Sequence, residues 1–377
     1  MVLTRFRLPD ILGFLALGIA LGPFALGVVH VSLQEDGVGT LIALAASLLL
    51  YEGGRGLDMD ELRSAWLGLL LLVTAGVAIT AALAGAAAHA AFGWDWQTAI
   101  LFGCVLAGTD PAAVIPVMRQ VRIAARVSNI AQAESALNDA TAAILTVVTI
   151  EAIRTGAFSS SAVTWSFLYM GLGGIAIGVA IAAGTAWIAH GERFRERALG
   201  AHNQQLIELI TVLLTYGVAS YLGSSGYMAA FVAGVVHSRT VSTAPYSTES
   251  FFSTTSFLSR LLVFVVLGAN FDPKSAAVPV LATLGFAVAF IFIVRPLAVF
   301  ASLLPDKRAR WTLPEMVMLS WVRETGVIPA ALAANVAALA LPNAESIVAK
   351  TAAIIVITVL VQGLSTGAVA KRLRLNA

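Results

Sequence analysis

Apolar residues run through this chain in long blocks separated by short polar stretches, and twelve of the blocks approach the length of a membrane-crossing helix. They lie near 8–29, 38–52, 64–92, 97–120, 124–152, 161–190, 202–222, 225–238, 250–271, 275–304, 311–340 and 345–370. A crossing helix needs about 20 mostly apolar residues. The second and eighth blocks are short by that measure, and the third, sixth and tenth are long enough to tilt. The first block continues to Val29 with no small-residue cleavage site and polar start behind it, so it is read as a retained helix rather than a leader. The pattern predicts an all-α polytopic membrane protein of about twelve transmembrane helices.

Composition agrees with the pattern. Of 377 residues, 59% are hydrophobic and 12% charged, against about 25% charged in an ordinary soluble domain. The net charge of +2 says little, but its placement says more. With the N-terminus inside, 17 of the 23 Lys and Arg fall on the cytoplasmic side, including Arg5, Arg55, Arg126, Arg193 and Lys371, and three fall outside: Arg154, Lys274 and Lys350. That bias supports both the count and a topology with both termini cytoplasmic. Trp94 and Trp96 suit an interfacial position on an outer loop. The single cysteine, Cys104, excludes an internal disulfide and a cysteine-based zinc site. No cofactor motif, Ser–His dyad or nucleic-acid motif is evident. His30, His89, His190, His202 and His237 sit near predicted helix ends, make no metal spacing and are read as interfacial.

Two blocks are interrupted. The fourth breaks at AGTDPAAVIP, with Gly108, Pro111 and Pro116; the eleventh breaks at VRETGVIPAA, with Gly326 and Pro329. Proline lacks an N–H and clashes one turn back, and it biases the preceding residue, here Asp110, towards extended geometry. Carbonyls freed near Thr109 must find partners in a membrane, and a desolvated cation is a suitable one. If blocks 1–5 and 8–12 are repeats, the first runs outward and the eighth inward. The repeats are then inverted, and each carries its break in the fourth member, a transporter pattern.

The stretch 97–152 holds the chemistry. It places Thr109 and Asp110 at the first break, then Glu134, Ser135, Asn138 and Asp139 on the next block. On a helix, Glu134 stacks on Asn138 and Ser135 on Asp139, giving one broad polar face opposite Ile130, Leu137 and Ile144. An ionisable group near the bilayer centre costs roughly 2.5–3.5 kcal/mol, so three uncompensated carboxylates would cost on the order of 10 kcal/mol. Arg323, Arg295 and Arg260 lie within later apolar blocks and are candidates for balancing them. A kinked helix with a solvated Asp110, or a polar network that only packs helices, are the plainer readings. Glu324 follows Arg323 and either caps a half-helix or pairs with it.

The stretches LPDILGFLALGIALGP, LLLYEGGRGLDMDELR, AGTDPAAVIPVMR, ESALNDATAAIL, SGYMAAFVAGVVHS and WVRETGVIPAALA together resemble monovalent cation/proton antiporters of the sodium/hydrogen exchanger family, close to its prokaryotic NhaP-like branch. The resemblance extends over nearly the whole chain, and Thr-Asp-Pro with Asn-Asp at this spacing is specific to it. It implies the sodium/proton antiporter fold in a single transmembrane domain, residues 1–377. Transport helices would be about 64–152 and 275–370, scaffold and dimerisation helices about 8–52 and 202–271, and a linker helix 161–190. It implies that Asp139 binds either a cation or protons, and that Asp110, Thr109, Ser135 and Asn138 complete a Na+ site, with the Thr109 main-chain oxygen near the ion. Glu134 and Arg323 would form a structural ion pair. Asn138 stands where electrogenic relatives have a second acid, which implies electroneutral exchange. The chain departs from the family in two ways: members often have an additional helix before the first one here, so this chain is expected to start late or lack it, and Glu324 stands where members commonly have Gly.

The expected activity is therefore exchange of Na+ for H+ across the cell membrane by a homodimer in the lipid bilayer, with alternating access to one buried Asp. K+/H+ exchange on the same fold, Li+ transport and a cation channel are the alternatives, and no enzymatic activity is expected. The resemblance thus pairs Glu134 with Arg323, and Arg295 is the candidate partner of Asp110. Asp139 is left as the acid without an evident permanent partner.

Overall fold

A computed structural model describes residues 10–35, 37–57, 65–109, 123–156, 160–190, 201–240, 246–271, 280–341 and 343–375. Asp110, Pro111, Pro116 and Arg119 of the first break lie outside them. The described residues form helices: α1 (Asp10–Leu21), α2 (Val38–Arg55), α3 (Trp66–Phe92), α4 (Trp96–Leu106), α5 (Ala125–Thr155), α6 (Ser160–His190), α7 (Ala201–Tyr221), α8 (Gly226–Thr240), α9 (Tyr246–Ala269), α10 (Val280–Leu303), α11 (Leu313–Trp321), α12 (Val327–Ala338) and α13 (Ala344–Arg372). They map onto the twelve apolar blocks, with α11 and α12 dividing the eleventh. Six of them, α3, α5, α10, α13 and the greater part of α6 and α9, are long and apolar enough to cross a membrane.

Local chemistry sets the ends. Asp95 caps α4 by accepting from the Thr98 amide at 3.0 Å and the Thr98 hydroxyl at 2.7 Å. Those two bonds hold its carboxyl below the usual carboxylate range. Thr312 and Glu315 form a reciprocal capping box at the start of α11. Gly93, at φ +67°, takes the left-handed turn that ends α3. The first block was expected to stay helical to about residue 29, but α1 stops at Leu21. The Gly22–Pro23 step ends it, and Val28 and Val29 then donate back to the Leu21 carbonyl.

The chain packs as two units. One comprises Met1–Gly39, Asp58–Ile150 and Val263–Ala377; the other comprises Thr40–Leu57 and Glu151–Leu262. In the first, α3 and α4 cross closely because Gly103 lies against the Ala81 carbonyl, where an added Cβ would be 2.1 Å from that oxygen. In the second, α6, α7 and α8 pack together around Tyr51, Ala182, Val212, Ala230, Ala233 and Phe252. Wide (π) turns interrupt three long helices, at Leu72–Gly76, Phe290–Val294 and Val359–Gly363. The second of these immediately precedes Arg295–Pro296, and Pro296 has no amide to donate. Such turns often mark functional positions, and two of the three border the residues considered next.

Candidate functional site

Both breaks lie in the first unit, and α5 carries the polar face that meets them. α4 ends at Leu106, and Gly108 and Thr109 leave the helix. Every polar group of Thr109 is taken up by α5. Its amide donates to Asp139 Oδ1 at 2.9 Å, its carbonyl accepts from Ser135 Oγ at 2.5 Å, and its hydroxyl accepts from Asn138 Nδ2 at 2.7 Å. This answers the requirement that freed backbone in a membrane be satisfied internally. The expected polar face thus converges on the break rather than on another helix surface.

Gly108 makes that approach possible. A Cβ there would be 2.6 Å from Asp139 Oδ1 and 3.3 Å from Pro329 Cδ on α12. The contact also brings the first break against the second. There, α11 ends at Trp321 and Val322–Gly326 are non-helical before α12 begins. Pro329 is not at the break but in the first turn of α12, where a missing N–H costs nothing. The freed groups of this break are held by α13: Gln362 Nε2 donates to the Trp321 carbonyl at 2.7 Å, and the Thr325 amide donates to Thr358 Oγ1 at 3.3 Å. Sequence reading passed over Thr358 and Gln362. The available signal was their i, i+4 spacing as polar residues in the twelfth apolar block.

The charges are compensated in two ways. Arg323 Nη2 lies 2.8 Å from Glu134 Oε1, with both side chains buried. Arg295, fully buried, donates from Nη2 to the carbonyls of Leu106 and Gly108 at 3.3 Å each, and its guanidinium lies over the Phe290 ring. It therefore meets the carbonyl end of α4, where a cation is favoured by the helix dipole, and it also feels Glu134 and Asp139 electrostatically. The expected Arg295–Asp110 pair involves a residue outside the described ones. Asp139 is not without a partner, contrary to the charge-balance expectation, because the Thr109 main-chain amide binds it. Arg260 is elsewhere, in the second unit, where it acts on Glu52. Glu324 is fully buried beside Arg323.

Asn138 gives the cluster its polarity. Its Nδ2 faces Glu134 Oε1 at 2.7 Å as well as Thr109. An ionised carboxylate only accepts, so the nitrogen must point there. Asn138 Oδ1 is then turned the other way, and it is a fully buried acceptor with no hydrogen-bond partner among the described residues. An orphaned oxygen costs about 1–3 kcal/mol. It belongs to the residue that binds the Thr109 hydroxyl and precedes Asp139 on α5, and an amide oxygen, a carboxylate and the Thr109 carbonyl are the kinds of donor suited to a hard cation. Among Thr109, Glu134, Ser135, Asn138, Asp139, Arg295, Arg323 and Glu324, Asp139 is the most exposed, at 7%.

The chain as a whole is similar to known proteins. The sodium/hydrogen exchanger transmembrane family matches residues 1–372. The K+/H+ antiporter NhaP of Alkalimonas amylolytica is 27% identical over 383 residues, covering 100% of this chain and 64% of the relative. The K+/H+ antiporter NhaP2 of Shewanella oneidensis is 28% identical over 369 residues, covering 96% of this chain and 62% of the relative. The chain thus spans less than two thirds of the length of these curated relatives. The sodium proton antiporter MjNhaP1 of Methanocaldococcus jannaschii superimposes with a TM-score of 0.82 at 25% identity, over 100% of this chain and 95% of that one. The chain is a multi-pass, all-α membrane protein with the antiporter fold, and it belongs to the sodium/hydrogen exchanger family.

Proposed function

We propose that this protein exchanges a monovalent cation for a proton by competition at Asp139. The observation that carries the reading is the seating of a buried carboxylate, Asp139, on Thr109 at a helix break, next to Asn138, whose side-chain oxygen is orphaned. Burial in low dielectric makes an ionised carboxylate costly unless a positive charge accompanies it. A proton or a cation supplies that charge, and one carboxylate holds one or the other. Thr109 and Ser135 fix the position of the carbonyl, Asn138 lends its oxygen, and Asp110 is assigned to the same site from the sequence. Glu134 and Arg323 hold α5 to the second break, and Arg295 compensates the first.

Asn138 is neutral and already committed through its nitrogen, which supports exchange of one cation for one proton. The relatives named above are described as K+/H+ and sodium proton antiporters, so both ions belong in the test, with Na+ as the primary assignment and K+ as the second. The Lys and Arg asymmetry supports placing both termini in the cytoplasm, and localisation to the cell membrane belongs to the same reading. A homodimer, and transport helices moving against a scaffold of α1, α2 and α7–α9, are part of the same reading.

The test uses purified protein in liposomes with an imposed pH gradient. Addition of Na+ or K+ is expected to collapse the gradient, and clamping the membrane potential is expected to leave the rate unchanged. Cation flux without proton movement would replace this reading with a channel. A second expectation concerns Gly108→Ala. The added methyl collides with Asp139 Oδ1, an overpacking cost of about 1–3 kcal/mol, so the apparent cation affinity is expected to fall roughly 5- to 150-fold. An unchanged half-saturating cation concentration would contradict the close approach described above.

A further inference from the structure

The second unit contains a buried titratable cluster that the exchange reading does not use. His237 of α8 was expected near an interface, but it is 2% exposed. Its Nδ1 lies 2.6 Å from the Tyr51 hydroxyl of α2, and that hydroxyl lies 2.9 Å from Glu208 Oε2 of α7. On the other side of the ring, Nε2 lies 3.1 Å from the Ala182 carbonyl and 3.2 Å from the Thr185 hydroxyl, both on α6. Arg55 Nε stands 3.2 Å from Glu208 Oε2, and Gln204 Nε2 stands 3.3 Å from Oε1. The facing element α9 contributes the apolar ring of Phe252, which also lies beneath Arg55. Farther along α2, Glu52 interacts with Ser256, Arg260 and Arg55.

The protons in this chain can be counted. Three contacts, Ala182 O to Nε2, Nδ1 to Tyr51 Oη, and Oη to Glu208 Oε2, each need one hydrogen between their heavy atoms. The phenol brings one, a neutral imidazole brings one, and the carbonyl brings none. Satisfying all three requires a third proton. Both Glu208 oxygens already face donors, Oε2 the Arg55 and Tyr51 groups and Oε1 the Gln204 amide, which leaves the imidazole as its holder. Without that proton, the Thr185 hydroxyl offers the alternative. It sits 3.0 Å from the Ile181 carbonyl and 3.1 Å from the Ala182 carbonyl, and it can turn from them to donate to Nε2. The Ala182 carbonyl then faces a lone pair at 3.1 Å.

We propose that His237, Tyr51 and Glu208 form a second proton-binding site, in the unit that does not carry Asp139, with Thr185 as the hydroxyl that exchanges partners when the proton leaves. The loaded cluster ties α2, α6, α7 and α8 together by one more satisfied contact than the empty one. The ligand is a proton, and histidine is the side chain suited to exchange it near neutrality. Stability is therefore greater in the loaded form and falls as pH rises through the titration of the site.

The test is thermal unfolding of the full chain in detergent at pH 6 and pH 8, in an Asp139→Asn background that removes titration at the transport carboxylate. The outcome does not depend on the exchange reading, because both proteins compared carry the same substitution. The melting temperature is expected to drop by about 3 °C from pH 6 to pH 8, and adding Tyr51→Phe is expected to remove at least half of that drop. His237→Gln, which offers one donor and one acceptor at every pH, serves if the Tyr51 variant does not fold, and is expected to do the same. A pH-dependent drop of the same size with and without these substitutions would overturn the proposal.

Discussion

Asp139→Asn is expected to abolish cation-driven proton movement while leaving a folded protein in the membrane. The substitution is nearly isosteric, and its side-chain oxygen still accepts from the Thr109 amide, so the break in the first interrupted helix stays closed on α5. What it removes is the negative charge for which cation and proton compete. An amide cannot hold a proton at physiological pH, so one half of the cycle has no carrier. The measurement is the change in internal pH of everted vesicles on addition of Na+ and then K+, with expression checked by size-exclusion chromatography in detergent. Exchange at the parental rate in this variant would remove Asp139 from the transport role and return attention to Asp110 and Glu324.

The second large effect concerns stability rather than turnover. Glu134→Ala leaves Arg323 as a buried guanidinium without the carboxylate that lies 2.8 Å away in the parent. Removing one partner of a buried pair costs about 3–5 kcal/mol. Asn138 also loses the acceptor that orients its amide. The variant is expected to lose several degrees of melting temperature and much of its yield. By the same principle, replacing both charges with apolar side chains of similar volume, Glu134→Leu with Arg323→Met, is expected to recover much of the loss. The double substitution separates charge burial from packing. A Glu134→Ala protein as stable as the parent, with altered cation preference, would make Glu134 a ligand rather than a strut.

These predictions rest on different amounts of sequence information. The helices were legible because apolar blocks, Gly–Pro steps and capping residues are local. Gly22–Pro23 was in plain view, yet the first block was read through it, since hydropathy continued while the backbone could not. The end of α4 and the gap between α11 and α12 were legible because glycine and polar letters in mid-block leave few alternatives in a membrane. The Glu134–Arg323 pair was named from family resemblance, charge balance having left its pairing open. Its distance, and the placement of Arg323 on the second break, came from the fold.

Partner choice was not legible, and the reason is physical. Arg295 was assigned to Asp110, which lies outside the described residues; the contacts that are described, to the carbonyls of Leu106 and Gly108, were not foreseen. A guanidinium is satisfied by carboxylate or carbonyl, and only the approach of α10 to the end of α4 brings these carbonyls within reach. His237 looked interfacial from its position near a helix end, and only the packing of α2, α6 and α7 around α8 buries it. The sequence by itself determined where helices form, where two of them must break, and that buried acids need compensation. The tertiary structure decided which oxygen meets which nitrogen. Hydropathy and proline geometry act within a few residues, whereas a hydrogen bond such as that from Thr109 to Asp139, 30 residues on, exists only once helices have crossed.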